Sequence, residues 1–284
     1  MTSKIKIFNG RKFANKILNN IKNSIKKEKL NPKLAIILIG NNEESKLYIK
    51  LKKEVAQKIG IRVLVYRFEK NTKENEIIER IKCLNKDKLV NGIIVQLPLP
   101  RTFNKDRIIE SIDLKKDVDC FQKENVKLFK EGGTYFVPVT PVAILSALKT
   151  SQRNFEKKRV VALVRSEIFG ETLKIAGNKK GVKINYFIVK KHLTQKVKSE
   201  LKLADAIITI CGKPCLINAD LIKNGVVLID AGISRLQNRK VVGDIDYKSV
   251  IGKASFLTPV PGGIGPLTIA VLLKNVYLSS RDTA

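Results

Sequence analysis

Short apolar segments alternate with amphipathic segments along the whole chain, and this alternation limits the possible folds more than any other feature. In the first half, Lys33–Ile39, Arg62–Arg67 and Gly92–Leu97 are rich in aliphatic residues and end at Gly, Pro or charged residues. Between them, Glu44–Lys58 and Lys73–Asn85 have helical periodicity. Strands that alternate with helices predict a parallel sheet covered by helices on both faces.

A second series of the same kind follows Pro138–Pro141, where an apolar helix starts near Val142. Its short apolar strands are Arg159–Val164, Val182–Val189, Ala206–Ile210 and Gly225–Asp230. A chain of 284 residues accommodates two domains. The sequence therefore predicts two α/β domains with a boundary near residue 140, and a last helix, 266–279, that returns to the first domain.

The distribution of apolar residues predicts a soluble, cytoplasmic protein with no membrane partner. No apolar stretch reaches the roughly 20 residues that span a bilayer. Lysines interrupt the apolar residues of the segment 1–18, which argues against a secretory signal and favours a first strand followed by an amphipathic helix.

The formal net charge of +29 suggests nucleic-acid binding as an alternative class. However, 43 of the 55 basic residues are lysines, spread along the chain without an arginine cluster or a basic tail. We therefore expect a solvated lysine-rich surface and no nucleic-acid partner, although such a field could also attract small anions.

The cysteine and histidine content argues against disulfide, zinc and histidine-triad sites. Cys211 and Cys215 lack zinc-ligand spacing, and His192 is the single histidine. We expect no metal, no disulfide framework, and His192 on a surface loop.

Candidate catalytic residues of the first half lie on the second helix and after a buried strand. Tyr48 and Lys52 are one helical turn apart, which suits either an ordinary half-exposed face or a lysine oriented for proton transfer. Gln96 interrupts an apolar strand at its carboxyl end, where parallel sheets bind ligands, and suits either a ligand contact or hydrogen bonds to loop backbone. Asp117 and Asp119 would point the same way in an extended chain, and suit either a turn or recognition of an amino-heterocycle.

In the second half, RVVALVRSEIFGETLKIAG predicts a strand, a loop and a helix. Arg165 and Ser166 follow the strand and Gly170 lies four residues after Ser166, where the phosphates of a dinucleotide would bind. Val164 occupies the position at which a Rossmann turn has glycine, so the signal is weak.

A dense group of prolines and glycines precedes the last helix. Its members are Pro259, Pro261, Gly262, Gly263, Gly265 and Pro266. Such a stretch is either a linker into the helix or a rigid loop with exposed backbone that receives a ligand, and the density favours a ligand loop. Pro266 is expected at or near the first helical position.

These segments, in this order, resemble the bifunctional methylenetetrahydrofolate dehydrogenase/methenyltetrahydrofolate cyclohydrolase (FolD-like) family. Beyond Tyr48 and Lys52, the matching motifs are GIIVQLPLP (92–100), KDVD (116–119), PVTP (138–141), VRSEIFG (164–170), GKP (212–214), DAGI (230–233), GDID (243–246) and PVPGGIGPLT (259–268). Together they cover nearly the whole chain.

The resemblance implies a folate-binding catalytic domain, 1–140 plus 264–284, and a Rossmann-type NAD(P)-binding domain, 141–263, with the active site in the cleft between them. It implies a homodimer that uses NADP, with NAD possible, in the one-carbon metabolism that feeds purine biosynthesis. Its substrates are tetrahydrofolate derivatives: 5,10-methylenetetrahydrofolate is oxidised to the methenyl form, which is hydrolysed to 10-formyltetrahydrofolate.

The resemblance also implies roles for individual residues. Lys52 would carry the hydrolytic step, with Tyr48 and Gln96 as catalytic partners that contact the folate. Asp119 would hold the pterin ring, and the loop of Pro261, Gly262 and Gly263 would close over the substrate. The implied cofactor-binding residues are Val164, Arg165, Ser166, His192 and Ile233.

The chain departs from the family pattern at several positions. The family's glycine before Arg165 is Val164, while Glu167 and Glu171 place carboxylates near an expected pyrophosphate. In the folate half, Cys120 replaces a glycine and Gln122 a histidine. An alternative function is therefore a cyclohydrolase whose dehydrogenase activity is weakened or lost.

Overall fold

The computed structural model describes residues 5–133, 136–151, 154–238 and 240–282. Within it the chain divides into two compact units. Asn15–Val139 and Ile269–Ala284 form the first, here called the three-strand unit. Met1–Ala14 and Thr140–Thr268 form the second, here called the six-strand unit.

The strands and helices are numbered along the chain. The strands are β1 (Lys6–Ile7), β2 (Lys33–Ile39), β3 (Arg62–Phe68), β4 (Gly92–Val95), β5 (Val160–Val164), β6 (Ile184–Ile188), β7 (Ala206–Ile210), β8 (Val227–Asp230), β9 (Ser234–Arg235), β10 (Val241–Val242) and β11 (Phe256–Leu257). The helices are α1 (Gly10–Lys27), α2 (Glu43–Lys58), α3 (Glu74–Lys86), α4 (Lys105–Glu110), α5 (Lys123–Glu131), α6 (Val139–Lys149), α7 (Glu167–Asn178), α8 (Gln195–Leu203), α9 (Tyr247–Val250) and α10 (Ile264–Asp282).

The three-strand unit is built on a parallel sheet with the strand order β3-β2-β4. The central strand β2 is buried from Leu34 to Ile39, as its continuous apolar sequence predicts. One face of the sheet packs against apolar residues of α3 and α4, including Ile77, Ile81 and Ile108. The predicted βαβ arrangement of this part of the chain is confirmed.

The six-strand unit is also built on a parallel sheet, with the order β1-β11-β8-β7-β5-β6. A separate antiparallel pair, β9 with β10, lies outside this sheet. Because neighbouring strands are parallel, the loops that follow β5, β7 and β8 leave the sheet at one edge. The predicted fold class, two α/β domains with parallel sheets, is confirmed.

The first strand, β1, belongs to the sheet of the six-strand unit. A domain boundary near residue 140 predicts instead that it lies with the first half of the chain. β1 pairs with β11, with Lys6 opposite Phe256 and Ile7 opposite Leu257. The ring of Phe8 lies 6.0 Å from that of Phe256. Because this pairing links residues about 250 positions apart and involves two residues on each strand, no local pattern in the sequence indicates it.

The last helix, α10, begins in the six-strand unit and ends in the three-strand unit. It starts at Ile264, so Pro266 is the third helical residue rather than the first. That position lies in the first turn, where a proline removes no intrahelical hydrogen bond. Among the helices described, α10 included, none is both long and apolar enough to cross a membrane.

Asn275 on α10 is a fully buried amide that ties two loops of the three-strand unit to the helix. Its Nδ2 donates to the carbonyl oxygens of Val118, at 2.8 Å, and Val137, at 2.9 Å. Its Oδ1 accepts from the backbone nitrogen of Val137 at 3.4 Å. The helix thereby fixes the backbone immediately before Asp119.

We predict that Asn275→Ala lowers the free energy of unfolding by about 2 kcal/mol or more, because one buried and one partly buried carbonyl group lose their donor. Urea denaturation measures this loss. Lys274→Ala, at the exposed neighbouring position of the same helix, is the matched control. Equal stability of the two variants would contradict the structural role of Asn275.

Candidate active site

Helix α2 carries Tyr48 and Lys52 on one face of the three-strand unit. The helix begins after Asn42, whose side-chain oxygen accepts a hydrogen bond from the backbone nitrogen of Ser45 at 2.8 Å. Tyr48 and Lys52 are half-buried, whereas Lys50 and Lys53 are exposed. Lys52 is therefore less exposed to solvent than the neighbouring lysines of the same helix.

Lys52 forms a direct hydrogen bond with Gln96. Its Nζ donates to Gln96 Oε1 at 3.0 Å. Gln96 Nε2 in turn donates to the carbonyl oxygen of Leu97 at 2.8 Å. Gln96 is buried and follows the carboxyl end of β4, so its amide has a fixed orientation with the oxygen toward the ammonium.

Burial and charge shift the pKa values of this group in ways that favour proton exchange. Burial lowers the pKa of Lys52, and the charge of Asp119 partly offsets that effect. Burial raises the pKa of Asp119 to about 6, although the Lys52 ammonium opposes the shift. Burial, followed by the charge of Glu44, raises the pKa of Tyr48. A desolvated lysine beside an amide and a carboxylate gives up its proton more readily than a solvated lysine, which suits a group that accepts and returns a proton.

Asp117 and Asp119 occupy different environments, because the segment is a turn rather than an extended strand. The backbone nitrogen of Cys120 donates to the Asp117 carbonyl oxygen at 3.0 Å, and Cys120 has a φ of 57°. The Asp117 carboxylate is buried and accepts from the Gln122 backbone nitrogen at 3.0 Å and from Asn125 Nδ2 at 2.9 Å. Asp117 thus holds the turn together, while Asp119 interacts electrostatically with Lys52.

Ser45 is a polar residue of this face that the sequence patterns did not single out. It lies one turn before Tyr48 on α2, and only 2% of its surface is exposed. Within the described part of the chain its hydroxyl is buried and has no hydrogen-bond partner. A buried hydroxyl of this kind needs a partner, which a bound molecule could supply.

In the six-strand unit, the segment between β5 and α7 places Arg165 and Ser166 at the surface. Ser166 caps α7, and its hydroxyl accepts from the backbone nitrogen of Phe169 at 3.4 Å. A Cβ atom built on Gly212 would lie 3.5 Å from Arg165 Nη1 and 3.6 Å from the Ile233 carbonyl oxygen. The fold therefore gathers Arg165, Gly212 and Ile233 where the loops leave β5, β7 and β8.

Two other residues expected at the cofactor site have contrasting positions. Val164 is fully buried as the last residue of β5, where it pairs with Ile188 and Ile210. Its side chain belongs to the core of the sheet. His192 is exposed on the loop after β6.

The loop that carries His192 is tied to the loop after β7. Lys213 Nζ donates to the carbonyl oxygen of Lys190 at 3.0 Å and also to that of Lys191. The two loops therefore lie together within the six-strand unit.

Gly170 allows α7 to approach β6 closely. A Cβ atom on Gly170 would overlap the ring of Tyr186. Such close packing of helix on strand is the role of the third glycine in dinucleotide-binding turns.

The carboxylate of Glu171 faces Tyr186 and Lys174. Tyr186 donates to Glu171 Oε1 at 2.7 Å, a bond that raises the pKa of Tyr186 to about 12. Lys174 lies 3.6 Å from the same oxygen. Glu171 is therefore hydrogen-bonded and ion-paired within the six-strand unit.

The proline- and glycine-rich loop is held by backbone hydrogen bonds within the six-strand unit. The backbone nitrogen of Gly10 donates to the Gly262 carbonyl oxygen at 3.1 Å, and that of Gly263 donates to Pro259 at 2.8 Å. The Val260–Pro261 peptide bond is cis, as is Leu97–Pro98.

Elsewhere in the described part of the chain, no group of three His, Cys, Asp or Glu residues could hold a metal ion.

Comparison with known proteins matches both halves of the chain. Residues 8–119 match the family model for the catalytic domain of tetrahydrofolate dehydrogenase/cyclohydrolase, and residues 138–284 match its NAD(P)-binding domain. The chain belongs to the tetrahydrofolate dehydrogenase/cyclohydrolase family. The resemblance indicated by the sequence motifs is thereby confirmed.

Relatives within the family match over nearly the full length. The "Bifunctional protein FolD" of Acetivibrio thermocellus is 40% identical over 282 residues, which is 97% of each chain. A crystal structure of the bifunctional FolD methylenetetrahydrofolate dehydrogenase/cyclohydrolase of Campylobacter jejuni is 36% identical with a TM-score of 0.91, covering 99% of this chain and 100% of that one. The Trypanosoma brucei methylenetetrahydrofolate dehydrogenase-cyclohydrolase, in complex with NADP and an inhibitor, is 26% identical with a TM-score of 0.91, covering 98% of both chains.

We predict that Gly170→Ala lowers the free energy of unfolding by about 1–3 kcal/mol, because the added methyl group overlaps the Tyr186 ring and forces α7 from the sheet. Chemical denaturation measures the change. Gly252→Ala is the control, since a Cβ atom at that position meets no atom within 4 Å. Losses of similar size in both variants would disprove close packing at Gly170.

Proposed function

We propose that this chain is a bifunctional enzyme of folate one-carbon metabolism. It oxidises 5,10-methylenetetrahydrofolate to 5,10-methenyltetrahydrofolate with NADP and hydrolyses the product to 10-formyltetrahydrofolate. The observation that carries the proposal is the hydrogen bond of 3.0 Å between the desolvated Lys52 ammonium and Gln96. Membership of the family supports both activities.

Lys52 performs the proton transfers of the hydrolytic step. As water adds to the methenyl carbon, the neutral amine takes the proton that the water loses. The resulting ammonium then gives a proton to N5 of the folate as the bond between N5 and that carbon breaks. The added hydroxyl loses its proton to water as it becomes the carbonyl of the formyl group, which stays bound to N10. The lowered pKa of Lys52 makes the neutral amine available, and Gln96 Oε1 directs Nζ.

Asp119 and Tyr48 orient the folate beside this lysine. An ionised carboxylate accepts hydrogen bonds from the amino and ring N–H groups of a pterin. Because the pKa of Asp119 is about 6, its carboxylate is mostly ionised at neutral pH. Tyr48, whose pKa is raised, stays a neutral phenol that can donate a hydrogen bond.

The residues of the six-strand unit fit a dinucleotide. The exposed Arg165 guanidinium can bind phosphate, Ser166 begins α7 at the positive end of the helix, and Ile233 exposes an apolar side chain. The chemistry that NADP supplies when bound is acceptance of a hydride from the one-carbon bridge. The chain's own residues hold and orient the two reactants.

The alternative of a cyclohydrolase without dehydrogenase activity rested on Val164 and two glutamates. Val164 is part of the sheet core, and Glu171 is bound to Tyr186 and Lys174. Glu167 is exposed to solvent in the first turn of α7. Nothing in the comparisons favours the loss of an activity. We therefore propose that both activities are present.

The homodimer, the cytoplasmic location, the cleft between the domains and the closure of Pro261–Gly263 over folate stay predictions that rest on the family resemblance. So do the cofactor contacts of Val164 and His192 and the preference for NADP over NAD.

We predict that the wild-type protein converts methylenetetrahydrofolate to formyltetrahydrofolate when NADP is added. Lys52→Met should stop at methenyltetrahydrofolate, with hydrolysis reduced by about 100-fold or more, because the transferable proton is lost while hydride transfer needs none. Product analysis with each nucleotide, NADP and NAD, measures both steps.

The control is Lys53→Met, which removes an exposed lysine from the same helix. It should retain both activities. Hydrolysis by Lys52→Met at the wild-type rate would refute the mechanism, and a wild-type protein that hydrolyses methenyltetrahydrofolate but reduces neither nucleotide would support the alternative.

A further inference from the structure

Two buried carboxylates of the six-strand unit have no part in the chemistry described above. Asp230 ends β8 and Asp244 follows β10, with 3% and 0% of their surfaces exposed. Buried carboxylates are rare unless they are paired or fully hydrogen-bonded. Their partners therefore indicate what they do.

The carboxylate of Asp244 holds the loop after β7. Its Oδ2 accepts from Thr209 Oγ1 at 2.7 Å and from the backbone nitrogen of Cys211 at 2.6 Å. Its Oδ1 accepts from the backbone nitrogen of Lys213 at 2.6 Å. The backbone donors of Cys211 and Lys213 flank Gly212, and Thr209 lies in β7, so one side chain fixes the path of this loop.

The carboxylate of Asp230 holds the loop after β8 and the segment that carries Asp244. Its Oδ1 accepts from the backbone nitrogens of Gly232, at 2.9 Å, and Asp244, at 3.2 Å. Its Oδ2 accepts from the backbone nitrogen of Ile245 at 2.9 Å. Burial and the nearby Asp244 raise the pKa of Asp230 to about 7, although these hydrogen bonds oppose the shift.

Two glycines make this arrangement reciprocal. A Cβ atom on Gly232 would overlap the Asp244 carboxylate, and one on Gly243 would overlap that of Asp230. Each carboxylate therefore fits against the bare backbone of the segment that carries the other. We call Asp230, Gly232, Gly243 and Asp244 the carboxylate clasp.

The two loops that the clasp holds border the surface gathered around Arg165. Gly212 lies between the donors to Asp244, and Ile233 directly follows Gly232. A Cβ atom on Gly212 would lie 3.5 Å from Arg165 Nη1 and 3.6 Å from the Ile233 carbonyl oxygen, so both loops border Gly212 beside the guanidinium. The clasp is thus connected through backbone to the surface where the proposed function places the dinucleotide.

We propose that the carboxylate clasp positions the backbone of residues 211–213 and 231–233 for NADP, so that Asp230 and Asp244 are positioning residues of the dehydrogenase half. The inference rests on the proposed function, since it presupposes a dinucleotide on this surface. It predicts that weakening the clasp impairs cofactor binding without impairing hydrolysis, because Lys52, Gln96 and Asp119 belong to the three-strand unit.

Asp244→Asn tests the clasp directly. The amide keeps one acceptor oxygen, but its NH2 group replaces the other oxygen and faces hydrogen-bond donors, so at least one hydrogen bond of the clasp is lost. Thr209→Val removes a single hydrogen bond to Asp244, and Thr209→Ser restores the hydroxyl as the matched control. Calorimetric titration with NADP, hydrolysis of methenyltetrahydrofolate, and amide hydrogen exchange at Cys211 and Lys213 in the cofactor-free protein are measured for each variant.

Asp244→Asn and Thr209→Val should weaken NADP binding about tenfold, as loss of one charge-assisted hydrogen bond predicts. Exchange at Cys211 and Lys213 should accelerate, Thr209→Ser should stay near wild type, and hydrolysis should change less than about twofold. If Asp244→Asn does not fold, the comparison of Thr209→Val with Thr209→Ser provides the test.

Unchanged NADP affinity and unchanged exchange in Thr209→Val would overturn the inference, as would a parallel loss of hydrolysis and NADP binding. A wild-type protein that binds no NADP would instead refute the proposed dehydrogenase activity, and hydrogen exchange would still show whether the clasp holds the loop after β7.

Discussion

The hydrolytic chemistry of this protein depends on one interaction, the hydrogen bond between the Lys52 ammonium and the Gln96 amide inside the three-strand unit. An ammonium withdrawn from water binds its proton less tightly than the ammonium of a fully solvated surface lysine, so its pKa is lower. The fold supplies that environment from two elements: α2 carries the lysine and the end of β4 carries the amide. Asp119 limits the decrease in the pKa of Lys52, because its charge favours the protonated lysine.

In the six-strand unit, too, the candidate site lies at the ends of strands. Parallel strands deliver their following loops to one edge of the sheet, so residues far apart in sequence meet there. Arg165, Gly212 and Ile233 follow three different strands and lie together for this reason. Loops of this kind need support, and the buried carboxylates of Asp230 and Asp244 provide it by accepting six hydrogen bonds, five of them from backbone N–H groups.

The sequence predicts the parts of the structure that local patterns determine. The strand β2 and the helix α2 follow from continuous apolar residues and helical periodicity, and Gln96 stands out because it interrupts an apolar strand. The pairing of β1 with β11 and the turn at Asp117 depend on long-range contacts, so periodicity could not indicate them. The motifs DAGI and GDID were visible as family matches, but their reciprocal fit arises only when the fold brings Asp230 and Asp244 together.

The most direct test of the central claim is the pKa of Lys52 in the folded protein, measured by NMR titration of carbon-13-labelled lysine, with the resonance assigned by its absence from Lys52→Met. We expect Lys52 to titrate with a pKa below the ordinary lysine value of 10.5, because burial outweighs the attraction of Asp119. We also expect a further decrease in Asp119→Asn, which removes that attraction. A Lys52 that titrates at or above 10.5 would contradict the account, since the amine would then be protonated throughout the hydrolytic step.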